Sequence, residues 1–179
     1  GRLSRQRVVD RLGQLPNLRF LGDPGLLASR VFSDVASPIK TKTDLLLIPH
    51  YQDLSTWARF SSKDFELISP DNEPRTVFSK ILESKAVITS SLHGLIFSQS
   101  AGIPAVLVRP KSQPDFKYKD YESTLSIPIV RYKSLHEAIK GSEVFTPEVP
   151  ISELEELDIA LKDISGRIVK HGMKGWNYG

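Results

Sequence analysis

A short polar turn in the middle of the chain carries the side chains best suited to chemistry. It contains Ser90, Ser91, His93 and Gly94. Serine hydroxyls and free backbone N–H groups bind anions, and a histidine exchanges protons near neutral pH. A glycine lets a ligand approach bare backbone. These residue types predict an anion site with a proton donor, although an ordinary structural turn has the same composition.

The turn lies inside an uncharged run from Ala86 to Val108. The length of this run suits a membrane span, but its serines, Gln99 and Pro104 argue against one. We interpret it as three elements: a buried strand (Ala86–Thr89), a helix (Ser91–Ala101) and a second buried strand (Ala105–Val108).

Capping residues mark both ends of the predicted helix. Ser90 or Ser91 can accept a hydrogen bond from a first-turn N–H, and Gly102 supplies a left-handed residue beyond the helix. Two apolar strands joined by a helix form a βαβ unit whose parallel sheet is covered on both faces. Open sheets of this kind bind ligands at the carboxyl ends of their strands. The polar turn is therefore expected at the ligand-binding edge.

Two further polar residues are expected at the same edge. A buried strand over Asp44–Pro49 leads to His50, and a strand-to-helix turn carries Asp23 at its tip. Asp23 can instead serve only as a helix cap. A metal site built from His50, Asp53 and His93 is not predicted, because these residues lack the close spacing that metal ligands on one helix show.

A basic and aromatic segment, Arg109–Tyr121, follows the second strand of the central unit. Its prolines predict an irregular loop. Arg109 and Lys117 offer cations to an anion, and Tyr118 offers a flat face to a sugar ring. A solvated loop with an aromatic anchor is the alternative interpretation.

Composition describes an ordinary globular protein. The 179 residues include 40% hydrophobic and 25% charged residues, with a net charge of +3 and no cysteine. Because the basic residues are scattered, nucleic acid is not an expected partner. Lack of cysteine excludes disulfides and thiolate metal sites and fits a reducing compartment.

The remaining elements alternate in type. Further strands are predicted at Leu18–Leu21, Phe65–Ile68 and Ile127–Val130. Further helices are predicted at the N-terminus, Thr76–Ser84, Ser134–Lys140 and Ile151–Met173. This alternation is typical of a Rossmann-like, doubly wound α/β domain with a mainly parallel sheet.

Four motifs, in order, resemble those of the polysaccharide pyruvyl transferase family. They are LGDPGLL (Leu21–Leu27), LIPH (Leu47–His50), TSSLHGLIF followed by AGIPAV (Thr89–Val106), and FKYKDY (Phe116–Tyr121). The resemblance implies a single domain over residues 1–179 that corresponds to the C-terminal half of a two-domain, GT-B-like enzyme. Helices over 1–15 and 151–179 would then dock on an N-terminal domain or in an oligomer.

The same resemblance implies a reaction. Pyruvate would move from phosphoenolpyruvate to a hexose of a bacterial exopolysaccharide, or of its lipid-linked precursor, as a cyclic ketal. His93 would be the acid or a phosphate ligand, Lys117 and Arg109 the anion clamp, and His50 a second donor. No cofactor is implied. The expected location is the cytoplasm, including the cytoplasmic face of the inner membrane. Ser91 departs from the family, because many relatives carry arginine at this position.

Two other functions are compatible with the residues. One is the donor-binding half of a nucleotide-sugar glycosyltransferase, although the helix Ser91–Ala101 lacks the carboxylate that such domains place there. The other is a non-catalytic sugar-binding or assembly module.

Overall fold

The computed structural model describes residues 1–13, 21–35, 40–60, 65–111, 113–125 and 128–141, together with residues 155, 157, 159 and 162. The strands are β1 (Thr43–Ile48), β2 (Phe65–Leu67), β3 (Ser84–Thr89), β4 (Ala105–Val108) and β5 (Arg131–Tyr132). The helices are α1 (Arg2–Leu12), α2 (Ala28–Val31), α3 (Leu54–Trp57), α4 (Pro74–Leu82), α5 (Leu92–Ser100), α6 (Phe116–Glu122) and α7 (Leu135–Lys140). Short 3₁₀ turns cover Pro24–Leu27 and Ala58–Phe60.

The strands form one five-stranded sheet in the order β2-β1-β3-β4-β5, and every described pair is parallel. The chain runs outward from β1 to β2 and then crosses back to β3 on the other side. Because parallel crossovers are right-handed, this reversal places the first crossover helix on the opposite sheet face from those that follow. The predicted α/β class with a parallel sheet is confirmed.

Two apolar cores show that both sheet faces are covered. Leu46, Ile48 and Val87 pack with residues of α4, α5 and α6 on one face. Leu47 and Ile88 pack with Trp57 of α3 and with α7 on the other. Neighbouring residues of each strand alternate between the two cores, as a pleated strand requires.

The central βαβ unit was predicted closely. The strands end at Thr89 and Val108, and α5 stops before Gly102, whose φ is 67°. Ser91, not Ser90, is the N-cap of α5: its hydroxyl accepts a hydrogen bond from the Gly94 N–H at 3.4 Å.

The prediction of an irregular loop over Arg109–Tyr121 is wrong in its second half, which forms α6. The prolines precede this helix and do not interrupt it. Tyr118 and Tyr121, three positions apart, both point into the core and stabilise α6 by burial.

Other predicted elements differ in extent or lie outside the described residues. The predicted strand Ile127–Val130 is wrong in position, because β5 begins at Arg131. Residues 18–20 of the first predicted strand are outside the described residues, as is most of Ile151–Met173. The four described positions of that segment are helical, and Leu157 is buried in the core.

Helix α1 is held by polar contacts and contributes no buried residue. The carboxylate of Asp120 in α6 accepts hydrogen bonds from the Ser4 N–H at 2.8 Å and the Ser4 hydroxyl at 2.5 Å. The Arg2 N–H donates to the Ser123 hydroxyl at 3.2 Å, and the Arg7 guanidinium lies 3.7 Å from the centre of the Phe116 ring. Residues of α6 thus cap the first turn of α1 in place of a local cap.

Candidate functional site

The candidate site lies where the strand order reverses, between the carboxyl ends of β1 and β3. The register pairs Ile48 with Thr89 at the ends of these strands. His50 lies two residues after the end of β1, and Ser90 lies one residue after the end of β3. The polar segments that begin at these residues therefore meet at one edge of the sheet. In open α/β sheets this reversal is the point at which ligands bind.

The N-terminus of α5 faces this edge. Ser91 occupies the cap, the Gly94 N–H is bonded to it, and the Ser91 N–H donates to the Thr89 hydroxyl at 2.9 Å. The N–H groups of Leu92 and His93 have no partner among the described residues. Two first-turn donors and the positive end of the helix dipole are therefore available to an anion.

His93 is exposed, and its side chain lines a cavity of about 490 Å³. Apolar residues and prolines form much of this cavity, and the described polar groups beside His93 are those of Asp23 and Asn72. A cavity of this size and mixed lining suits a sugar ring.

A smaller cavity of about 240 Å³ adjoins the same helix terminus. Its lining includes Leu92 of α5 and Lys117, with Asp23 and Asp120 as its carboxylates. Asp120 is bonded to the first turn of α1, and Asp23 caps the Pro24–Leu27 turn by accepting from the Gly25 N–H at 2.8 Å. Asp23 lines both cavities and therefore stands between them.

Gly94 does not provide the exposed backbone that the sequence predicted. It is buried, and a Cβ atom there would lie 2.5 Å from the Thr89 hydroxyl oxygen and 3.1 Å from a methyl group of Ile48. A glycine is needed because α5 packs closely on the ends of β1 and β3. Its contribution is to helix packing, and the approach to the anion site lies at Leu92 and His93.

Beneath the helix terminus lies a buried polar network that the sequence did not reveal. Ser90 is fully buried, and its hydroxyl accepts from the His50 N–H at 2.7 Å and donates to the Asp53 carboxylate at 2.8 Å. The Tyr118 hydroxyl donates to the Ser90 carbonyl oxygen at 2.9 Å. One feature of the sequence could have indicated this network: Ser90 lies between a buried strand and the residue that caps the next helix.

Burial, together with neighbouring charges at two of the groups, shifts three pKa values around this network. Burial, and then the positive charge of Lys117, lower the pKa of His50, while the Asp53 carboxylate opposes that shift. Burial also lowers the pKa of Lys117. Burial and the nearby carboxylates of Asp53 and Asp115 raise the pKa of Tyr118 to about 12, so its hydroxyl stays a donor.

Two predicted substrate contacts take other positions. The Tyr118 ring is fully buried, so it cannot stack on a sugar as the sequence predicted. The centre of the Tyr118 ring lies instead 5.0 Å from the Lys117 ammonium group, which stands over its face. The exposed guanidinium of Arg109 pairs with Asp115 at 3.1 Å, at the start of α6.

Metal-ligand clusters and membrane-spanning helices are both absent from the described residues. No cluster of His, Cys, Asp or Glu there has the arrangement of a metal site. No helix in those parts of the chain has the length and apolar character needed to cross a bilayer.

These features define a class: an α/β protein with a parallel sheet whose switch point carries a helix terminus with free N–H groups, an exposed histidine and a partly buried lysine. Comparison with known families identifies the family within this class. The model of the polysaccharide pyruvyl transferase family matches residues 1–112, and the chain belongs to that family. It is a family of transferases, and its name implies a saccharide acceptor.

Among curated proteins, "Uncharacterized protein L143" of Acanthamoeba polyphaga mimivirus is similar. It is 32% identical over 131 residues, which cover 68% of this chain and 45% of the relative. The chain thus spans less than half the length of that relative. No solved structure matches.

Proposed function

We propose that this protein transfers pyruvate from phosphoenolpyruvate to a hexose of a bacterial exopolysaccharide, or of its lipid-linked precursor, as a cyclic ketal. The chain would form the C-terminal half of a GT-B-like enzyme at the cytoplasmic face of the inner membrane. Family membership and the site at the switch point support this proposal.

One observation carries it above the others: Leu92, whose N–H has no partner among the described residues, and Lys117 line the same small cavity at the start of α5. Phosphoenolpyruvate carries a phosphate and a carboxylate, and both need cations or N–H donors. Lys117 supplies a charge at a site where relatives of the family use an arginine and this chain has Ser91.

The reaction assigns a task to His93. A proton added to the methylene carbon of phosphoenolpyruvate forms a methyl group and leaves C2 electron-deficient. One sugar hydroxyl adds to C2 and returns its proton to the acid. A second hydroxyl displaces the phosphate, which leaves with the C2–O bond electrons and takes the proton of that hydroxyl. His93 is exposed in the larger cavity and directly follows Leu92, which lines the smaller one. It is therefore our candidate for the acid that protonates the methylene carbon.

The two cavities divide the substrates. We assign phosphoenolpyruvate to the 240 Å³ cavity beside Lys117, and the acceptor hexose to the 490 Å³ cavity beside His93. Asp23 lies between them and retains a second carboxylate oxygen besides the one bonded to Gly25. It is placed to bind an acceptor hydroxyl near the reacting carbon.

The decisive experiment uses the full-length gene product with phosphoenolpyruvate and an oligosaccharide acceptor. Phosphate release in equal amount to ketal formation, measured by phosphate assay and mass spectrometry, is the expected result. Turnover of a nucleotide sugar would instead support a glycosyltransferase. Saccharide binding without consumption of phosphoenolpyruvate would support a sugar-binding module.

A further inference from the structure

The buried network around Ser90 joins four segments of the chain at the carboxyl edge of the sheet. Ser90 follows β3, His50 follows β1, Asp53 precedes α3 and Tyr118 belongs to α6. The proposed chemistry does not use Ser90, Asp53 or Tyr118 directly. Their burial and mutual hydrogen bonds nevertheless place them directly behind the residues that it does use.

Burial makes this arrangement specific. Asp53 and Ser90 are 7% and 0% exposed, and a carboxylate so removed from water must be hydrogen-bonded to be tolerated. The Ser90 hydroxyl meets that need while it accepts from the main chain of His50. The Ser90 hydroxyl thus connects the His50 backbone to the Asp53 carboxylate, which is buried and cannot reach solvent.

Tyr118 extends the network to the lysine. Its hydroxyl is bonded to the Ser90 carbonyl oxygen, and its ring lies 5.0 Å below the Lys117 ammonium group. The face of an aromatic ring attracts a cation. The same side chain therefore fixes the turn before α5 and orients the cation that borders the smaller cavity.

We propose that Asp53 and Tyr118 are positioning residues that act through Ser90: they fix the main chain at His50 and place the ammonium group of Lys117 at the smaller cavity, where an anion binds. The assignment of phosphoenolpyruvate as that anion rests on the proposed function. The positioning of the two basic residues does not, because inorganic phosphate is a sufficient probe.

Tyr118→Phe is the central test, since it keeps the ring and removes only the hydroxyl. Tyr132→Phe is its control: Tyr132 lies in β5, packs against the core on the other face of the sheet, and lines neither cavity. In the full-length protein, Tyr118→Phe should weaken phosphate binding about fivefold, the effect of losing one neutral hydrogen bond. Tyr132→Phe should leave it within twofold.

Nuclear magnetic resonance supplies a readout that a general loss of stability would not move. Asp53→Asn keeps a hydrogen-bond acceptor for Ser90 but removes the charge that favours protonated His50. The pKa of His50, followed through its ring signals, should fall further in Asp53→Asn and stay unchanged in Tyr132→Phe. Asp53→Asn should bind phosphate more tightly than Asp53→Ala, which removes the acceptor altogether.

Equal phosphate affinities in Tyr118→Phe and the wild-type protein would overturn the inference. So would an unchanged pKa of His50 in a folded Asp53→Asn variant. If the phosphate results hold while no pyruvyl transfer occurs, only the proposed function fails. If transfer occurs with unaltered KM for phosphoenolpyruvate in Tyr118→Phe, only the positioning role fails.

Discussion

The hydroxyl of Thr89 donates a hydrogen bond to the carbonyl oxygen of Ile48 at 2.7 Å. This bond joins the last residues of β1 and β3 at the point where the strand order reverses. The same hydroxyl oxygen accepts from the Ser91 N–H and contacts Gly94. One side chain thus sets the spacing of both strand ends and of the helix above them.

Gly94→Ala should destabilise the protein by about 1–3 kcal/mol, the usual cost of overpacking, because the new Cβ would meet the Thr89 hydroxyl oxygen at 2.5 Å. Denaturant unfolding measures this loss. Thr89→Ala should relieve part of it, so the double variant should lose less than the sum of the single variants. Gly102→Ala is the control, since its new Cβ meets no atom within 4 Å and its cost comes from the φ of 67°. Additive effects of Gly94→Ala and Thr89→Ala would contradict the packing role.

His93→Ala should reduce kcat for ketal formation by about 100-fold or more in the full-length enzyme, the typical effect of losing a positioned acid. Folding should survive because the side chain is exposed. Steady-state kinetics and circular dichroism test the two statements. His136→Ala, at an exposed position of α7, should have wild-type rates. A folded His93→Ala enzyme with near-normal kcat would show that this histidine is a structural residue and not the acid.

Lys117→Ala should mainly raise KM for phosphoenolpyruvate, because a cation that grips the ground-state substrate contributes to binding more than to the chemical step. Lys119→Ala is a close comparison in the same helix: Lys119 is exposed and lies 3.9 Å from Asp115. It should change KM little. Comparable kinetic constants for the two variants would remove Lys117 from the anion site.

Unfolding free energy should depend on pH through His50. Its pKa is lowered in the folded state from 6.5 by burial and by Lys117, so the folded state binds fewer protons than the unfolded one. The contribution of His50 to the free energy of unfolding is fully present above about pH 6.5. It decreases as the pH falls from there through the lower, folded-state pKa. His50→Gln should remove this part of the pH dependence. Parallel stability curves for the two proteins between pH 7.5 and about 5 would show that His50 does not contribute.

The exposed apolar side chains of α1 provide a test of the two-domain proposal. Leu12 is 74% exposed, and Leu3 and Val8 are also accessible. Leu12→Lys should leave the melting temperature of this chain unchanged. In a longer gene product whose N-terminal domain packs on α1, it should lower the melting temperature by several degrees, because a charge would enter an apolar contact. An unchanged melting temperature in the longer protein would place the domain contact elsewhere.

The sequence predicted the central unit well because its signals are local. Uncharged segments begin or end at Ser91, Gly102 and Pro104, and each of these residues restricts the conformation of its immediate neighbours. Helix α6 was missed because the prolines before Asp115 were taken to govern the whole segment. The sequence analysis assigns Tyr118 to a sugar ring, whereas its spacing of three residues from Tyr121 is typical of a helix face packed on a core.

The buried network could not be predicted by the same means. Ser90 and Asp53 are 37 positions apart in the chain and meet only after β1 and β3 pair. A buried carboxylate–hydroxyl pair has no periodicity and no fixed spacing. The candidate site was therefore predictable at the level of its turn, and the residues behind it required the three-dimensional structure.

The covered sheet has a consequence for redesign. Every residue of β4 is buried, and the strands present both faces to helices. Changes in ligand preference are then confined to the segments beyond the strand ends. The loop of residues 69–73 brings Pro70 and Asn72 to the 490 Å³ cavity and lies outside both apolar cores, whereas Ile68 before it is buried in one of them. A combinatorial library limited to that loop would vary the shape of the cavity while the sheet that supports it stays intact.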